Sequence, residues 1–194
     1  MRIRPLAIDG AWEITPRQHH DRRGKLFEAY ASREFADVVG RPFSLEQMNV
    51  SVSIHGAVRG VHVTSRPPGQ AKYVSCVRGA VWDVVVDLRP ESPTFGRHDA
   101  ALLDDRDHRA VYLGEGLGHA VCALEDDSAL VYLSSSLYAP GLDVAVDPLD
   151  PELAIPWPVE EPTLSARDRA APSLEETLRT GLLSPNAVGH GGER

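Results

Sequence analysis

The sequence predicts an all-β protein, a sandwich or barrel of short antiparallel strands with a few peripheral helices. Three observations lead there. Short apolar runs at 100–103, 110–113, 120–124 and 129–133 recur at a regular cadence, separated by Gly or Asp clusters. The segment 81–88 carries Val81, Val84, Val85, Val86 and Leu88, dense enough in β-branched residues for a buried sandwich strand. Between Gln47 and Ile54 polar and apolar residues alternate without a break. At 194 residues the chain is long enough for one large β domain. We expect that domain over 1–185, with 186–194 as a flexible tail.

In chain order, Ala11-Trp12-Glu13-Ile14 reads as a strand leading into a polar turn at 19–24, where Asp21 and Gly24 suit a reversal. Residues 25–30 read as strand. Ser32 is the expected N-cap of a short helix over 33–39, which Gly40 and Pro42 terminate. In the alternating strand, Gln47, Asn49, Ser51 and Ser53 share one face, and Met48, Val50, Val52 and Ile54 the other. The polar face fits either solvent or a ligand cavity. Next come Arg59-Gly60-Val61-His62-Val63-Thr64, a Pro/Gly turn, and a strand over 73–77. If these strands are antiparallel neighbours, His62 and Lys72 converge across the loop between them. Residues 89–96 read as a loop. Past Tyr138 the prolines rule out central strands, so this part wraps the body as edge or loop. Helix signals return at Ser173-Leu174-Glu175-Glu176.

Composition removes several functions. The net charge of -8, from 28 acids against 20 Lys and Arg, argues against non-specific nucleic-acid binding, which needs a basic face. Cys76 and Cys122 lie in apolar runs without CxxC spacing, and read as buried thiols in a reducing cytoplasm. No stretch has the form of a signal peptide, and no window approaches the roughly 18 apolar residues of a membrane span. The expectation is a soluble cytoplasmic protein. With neither an HxH pair nor a HExxH helix, a His-rich metal centre is not indicated.

Two of the eight histidines stand out, His62 for Lys72 nearby and His119 for the Gly-rich 114–119 stretch, read as a loop. Tyr132, Ser134, Ser136 and Tyr138 share strand parity if the strand runs unbroken, so two phenols could face the cavity of His62. Asp83, Asp87, Asp143 and Asp168 are the acids of interest, because a carboxylate beside His62 would fix its tautomer. The residues suit proton abstraction beside a carbonyl, and name no substrate.

Several motifs in one order resemble the dTDP-4-dehydrorhamnose 3,5-epimerase family and its relatives in antibiotic deoxysugar pathways. They are Asp21-Arg22-Arg23-Gly24, Arg59-Gly60-Val61-His62, Gln70-Ala71-Lys72, Asp83 to Arg89, Ser92-Pro93-Thr94-Phe95-Gly96, Gly118-His119, Trp157-Pro158 and Leu164-Ser165-Ala166-Arg167-Asp168. The resemblance implies a cupin-type jelly roll, a homodimer, and work without metal or organic cofactor on a dTDP-linked 4-keto-6-deoxy sugar. It implies that His62 is the base with Asp168 as its orienting partner, that Lys72 stabilises the enolate, and that Tyr132 returns a proton to the opposite ring face. Tyr138 matches an aromatic that stacks on thymine. Arg23, Glu28, Gln47, Asn49, Arg59 and His119 match positions that bind the nucleotide sugar, with Asp143 and Arg167 lining the same pocket.

The chain also departs from the family pattern. It reads Val61, Val63 and Thr64 where the rhamnose-pathway enzymes carry Leu, Tyr and Gln, Asp143 for Glu, Arg167 for Lys, and Ala120 for Gly. These changes leave the catalytic set intact but alter the pocket, and the Ala/Arg/Gly/Pro-rich composition with the tail Leu174 to Leu183 resembles the secondary-metabolism branch, whose members often act at one carbon. Regular alternation would set Arg59 and His62 on opposite faces, so both reaching one ligand requires a bulge, for which Gly60 is the natural place. The competing functions are a 3,4-ketoisomerase, a metal-dependent oxygenase of the same fold, and a non-catalytic nucleotide-sugar binding module.

Overall fold

Two sheets face each other in the computed structural model, which describes residues 1–65, 67 and 69–183. The elements in order are β1 (Arg2–Pro5), β2 (Ala11–Thr15), β3 (Gln18–Asp21), β4 (Gly24–Phe27), α1 (Ser32–Val39), β5 (Gln47–Ser53), β6 (Ala57–Thr64), β7 (Lys72–Arg78), β8 (Ala80–Asp87), β9 (His98–Asp104), β10 (Ala110–Leu113), β11 (Leu117–Ala123), β12 (Ser128–Ser134), β13 (Asp143–Ala145), β14 (Thr163–Leu164), α2 (Ala166–Arg169) and α3 (Leu174–Arg179). The first sheet runs β1-β2-β10-β7-β12-β5, and the second β13-β6-β11-β8-β9, with β14 added to β6. Every ladder is antiparallel except β14 on β6. This is the expected antiparallel β sandwich with a few short helices.

Three apolar layers hold it together. Between the sheets lie Val74, Cys76, Val85, Leu103, Val111, Leu113, Leu117, Val121 and Leu130, all nearly inaccessible; each buried side chain of this size contributes about 1.5–3 kcal/mol before its ordering cost. Behind the first sheet, α1 inserts Phe35 against Ile14, Tyr73 and Tyr112. Behind the second, the C-terminal segment lays Val144, Val146, Leu153, Leu174 and Leu183 on Val61, Val63, Val84 and Val86. Strand β8 is therefore covered on both faces, which explains its nearly unbroken valine run. One end of the sandwich, between β5, β12 and β7 on one wall and β6 and β11 on the other, is left open.

Several expectations are corrected. Strands β6 and β7 are not neighbours: they belong to different sheets, and the loop after Thr64 crosses from one to the other. His62 and Lys72 thus meet across the sandwich rather than along one sheet. The reversal expected in the polar stretch falls at Arg22-Arg23, but the residues before it form strand β3 of the β3–β4 hairpin. The strand expected over 25–30 ends at Phe27. Ser32 lies inside α1, whose N-cap is Ala31 without a side-chain hydrogen bond, while Gly40 does close the helix at φ 83°. The Gly-rich stretch before His119 enters β11, because Gly118 lets the strand pass close to Leu88 and Val61, where a Cβ would come within 2.7 Å of each. Strand β1 was not anticipated, and Arg-Ile-Arg-Pro carries little apolar alternation to announce it. Nor was α2, although Ser165 caps it from Asp168 N–H. The helix at Ser173 is as expected, its hydroxyl accepting from Glu176 N–H at 3.1 Å. The expected flexible tail, 186–194, lies outside the described residues.

Candidate active site

The open end is a cavity of about 710 Å³. Strand parity decides what faces it. On the first sheet, Asn49 pairs directly with Tyr132, and Ser134 with Lys72, so the inner row of β5 continues through β12 to β7. Asn49, Ser51, Ser53, Tyr132, Ser134 and Lys72 all line the cavity. The polar face of β5 thus serves a ligand cavity and its apolar face points outward, the reverse of an ordinary surface strand.

On the opposite wall His62 pairs with His119, but two residues further along β11 Val121 pairs with Arg59. Three steps on β6 therefore answer two on β11, a bulge around Gly60. Gly60 sits at φ 124°, and a Cβ there would come within 2.6 Å of both Ala120 Cβ and the His119 carbonyl oxygen, which leaves room for glycine alone. The bulge resolves the parity conflict, and Arg59 and His62 both reach the cavity.

His62 is partly exposed to the cavity, and its Nε2 lies 2.6 Å from Asp168 Oδ1, with Asp168 itself buried. The bond assigns Nε2–H as donor and leaves Nδ1 with the lone pair. Ser165 donates to the other carboxylate oxygen of Asp168 at 2.9 Å and caps α2 by accepting from Asp168 N–H at 3.0 Å. A four-residue helix thereby holds one carboxylate under one imidazole. Burial lowers the His62 pKa, more than the Asp168 carboxylate raises it, with Arg167 and Lys72 lowering it further. The ring is thus a neutral base near pH 7.

Tyr132 stands on the facing wall, its hydroxyl 3.2 Å from Ser51 Oγ and its ring edge-on to His119 at 5.9 Å between centroids. Burial pushes its pKa up to about 12, keeping the phenol protonated. Lys72 is lowered by burial, against the opposing pull of Asp143 and Asp83. His119 Nε2 meets the buried Asp83 Oδ2 at 2.8 Å. Arg59 is anchored by Nε on Ser53 Oγ at 3.0 Å and by a terminal nitrogen on the Val52 carbonyl at 3.2 Å, so its guanidinium is held at the entrance. At the mouth Arg167 grips Asp143 at 2.7 Å, and Tyr138, 57% exposed, is tied through its backbone N–H to Gln47 Oε1 at 2.7 Å. A base on one wall, and a protonated phenol with a lysine side chain on the other, suit moving a proton from one face of a small molecule to the opposite face.

The family model described as dTDP-4-dehydrorhamnose 3,5-epimerase matches residues 5–176. The chain belongs to the dTDP-4-dehydrorhamnose 3,5-epimerase family. It is 56% identical over 188 residues to a dTDP-4-dehydrorhamnose 3-epimerase of Streptomyces niveus, covering 97% of this chain and 91% of the relative. It is 53% identical over 184 residues to a dTDP-4-dehydrorhamnose 3,5-epimerase of Mycolicibacterium smegmatis, covering 94% and 90%. Among solved structures it is similar to NovW, a 4-keto-6-deoxy sugar epimerase from the novobiocin biosynthetic gene cluster of Streptomyces spheroides, with a TM-score of 0.94, 54% identity, and 97% and 95% of the two chains covered.

Of the candidates drawn from the resemblance to this epimerase family, His62, Lys72, Tyr132, Asp168, Asn49, Arg59, His119, Tyr138, Asp143 and Arg167 all line the one cavity. Gln47 stands one step behind, bonded to Asn49 and to the Tyr138 backbone. Arg23 and Glu28 do not line it: Arg23 is exposed at the tip of the β3–β4 hairpin and paired with Asp21, and Glu28 is exposed where the hairpin ends. The shared parity expected from Tyr132 to Tyr138 fails at Ser134, where β12 stops; Tyr138 reaches the cavity from the following loop, while Ser136 turns away to Gln70. Sequence reasoning named Asp83 among the acids of interest, left Ser51 and Ser53 open between solvent and cavity, and did not assign Ser165 to the site. The Ser-x-x-Asp spacing of Ser165 and Asp168 is the one local signal that could have found the last of these. Of the expected acids, Asp87 is elsewhere, buried under Arg89, Ser92 and Thr94.

Proposed function

We propose that this enzyme, as a single epimerase domain over 1–185, inverts a carbon flanking the ketone of a dTDP-4-keto-6-deoxyhexose, at C3, C5 or both. The observation that carries the reading is the opposition of His62 and Tyr132 on facing walls of one cavity, with Lys72 on the wall of Tyr132. His62 Nδ1 takes the proton next to the C4 ketone, and the resulting imidazolium is stabilised by Asp168. The carbonyl oxygen gains the charge and meets the Lys72 ammonium. Tyr132 then delivers a proton to the other face. Arg59 and His119 hold the diphosphate, Asn49, Gln47 and Tyr138 the thymidine, and Arg167 with Asp143 the mouth. The ammonium does the work of a Lewis acid in this scheme, so no metal or organic cofactor is required. The names of the relatives agree on the substrate class and divide between one carbon and two.

The test is incubation with dTDP-4-keto-6-deoxyglucose in D2O, followed by NMR at each carbon. Deuterium at an inverted C3 or C5 is expected. A carbonyl moved to C3 would mean a ketoisomerase, and dTDP binding without any exchange a binding module.

A pH dependence follows from the base. Because burial depresses the His62 pKa, the neutral form persists below the ordinary histidine value, and the acid limb of kcat/KM should have its midpoint under about 6.5. Asp168→Asn removes the carboxylate whose hydrogen bond and charge raise it, and should move that limb lower still. A wild-type midpoint above 7 would contradict the assignment.

The same reading makes the enzyme a homodimer. Met48, Val50, Val52 and Ile54 are 57–61% exposed on the outer face of the edge strand β5, a contiguous apolar row on a strand whose inner face builds the cavity. The β3–β4 hairpin, with Leu26 76% exposed, stands apart as its own two-stranded sheet. In a dimer formed on β5, the hairpin carries Arg23 and Glu28 to the partner's cavity. Val50→Asp should weaken association by at least about tenfold, since it desolvates a charge at the centre of the contact. Light scattering coupled to gel filtration reads this: a dimer is expected for the wild type and monomer for the variant, and a monomeric wild type would refute the arrangement.

A further inference from the structure

Ser51 lies on the inner face of β5, where each polar residue has a distinct task. Asn49 accepts from Gln47, and Ser53 anchors Arg59. Ser51 is turned to Tyr132: Leu130 is its direct partner on β12, which makes Tyr132 the diagonal neighbour, and long side chains reach such neighbours on one face of a sheet. Its Oγ is 3.2 Å from the phenol oxygen. Among the described residues, this is the hydrogen bond that fixes the Tyr132 hydroxyl; the edge-on His119 ring fixes only the plane of the phenol.

Resting on the epimerase reading, we propose that Ser51 is a positioning residue for proton return: it donates its hydroxyl hydrogen to the Tyr132 oxygen and so leaves the phenolic O–H aimed at the sugar. In the step it serves, the Tyr132 O–H bond breaks and a C–H bond forms at the enolate carbon, using the electron pair of the C=C bond as the C4 carbonyl re-forms. Negative charge passes from the oxygen beside Lys72 to the phenolate. The phenolate remains in a partly buried cavity, where a donor already in place costs no reorganisation. Ser51 therefore acts after the enolate exists, on its partition between return to His62 and capture by Tyr132.

That timing gives a readout that damage to the pocket would not mimic. In D2O, return from His62 after exchange yields deuterated substrate without inversion, whereas capture yields the epimer. Ser51→Ala should raise the ratio of deuterated, uninverted sugar to epimer by about three- to tenfold, the range for one lost hydrogen bond, with KM nearly unchanged. Ser51→Thr keeps the hydroxyl on a residue that strands favour, and should restore the wild-type ratio. An unchanged ratio in Ser51→Ala, a proportional fall of exchange and inversion together, or a rise in KM alone would overturn the proposal while leaving the epimerase intact. Absence of exchange in the unmodified enzyme would instead remove the epimerase reading, and this inference with it.

Discussion

His62→Ala is expected to lower the rate of deuterium entry and of inversion together, by about 100- to 10,000-fold, the range for removing a positioned general base. The imidazole is the group on the second wall that combines a free lone pair with a depressed pKa, and without it the proton beside the ketone has no acceptor of suitable basicity. Folding should survive, because the side chain faces the cavity and β6 is held by β11, β13 and β14. The loss to the fold is the partner of a buried carboxylate, about 1–3 kcal/mol, and Ser165 still donates to Asp168. Binding of dTDP should persist, as the residues proposed to hold it lie elsewhere in the cavity. NMR in D2O, a thermal melt and calorimetry with dTDP check the three parts. Exchange that continues at the wild-type rate in a folded variant would mean another base.

Tyr132→Phe should separate the two events that His62→Ala stops together. Phenylalanine retains the ring that packs against His119 and removes only the oxygen, so the proton can still leave but is no longer returned on the far face. Inversion is expected to fall by about 100- to 10,000-fold while deuterium continues to enter without change of configuration. Loss of exchange in step with inversion would show that the phenol participates in proton removal. The same carbon-resolved spectra decide whether one or both flanking carbons are served.

Much of the site could be read in the sequence because its chemistry is local to residues that few structural roles require. A histidine among valines, a lysine opening the next strand and alternating polar residues on β5 are visible without coordinates. The bulge at Gly60 was also accessible, since parity sets Arg59 and His62 apart and glycine is the residue that tolerates the repair. Partner choice between strands is not local. Nothing in 57–78 states that β6 and β7 enter different sheets, because the alternation that defines a strand is indifferent to its neighbour. The same limit left the polar face of β5 ambiguous between solvent and cavity: the pattern gives the two faces, and only packing decides which is inside. Strand β3 was missed since His and Asp are unusual in strands, and α2 since a helix of one turn has no periodicity to detect.

The two-walled arrangement also separates the roles of the dyads. Asp168 is held by the capped turn of α2, whereas Asp83 and His119 stand on the strands β8 and β11. The proposed base is thus tied to a short helix that follows β14, and the Asp83–His119 pair joins two neighbouring strands of one sheet.

The most direct measurement is a crystal structure of the enzyme with a dTDP-linked 6-deoxyhexose bound. The hexose ring should lie between the walls, with His62 Nδ1 and the Tyr132 oxygen on opposite faces, each about 3–3.5 Å from a carbon flanking C4, and Lys72 Nζ at the C4 oxygen. A ring that presents one face to both groups, or that sits outside the cavity while the diphosphate is bound, would contradict the account.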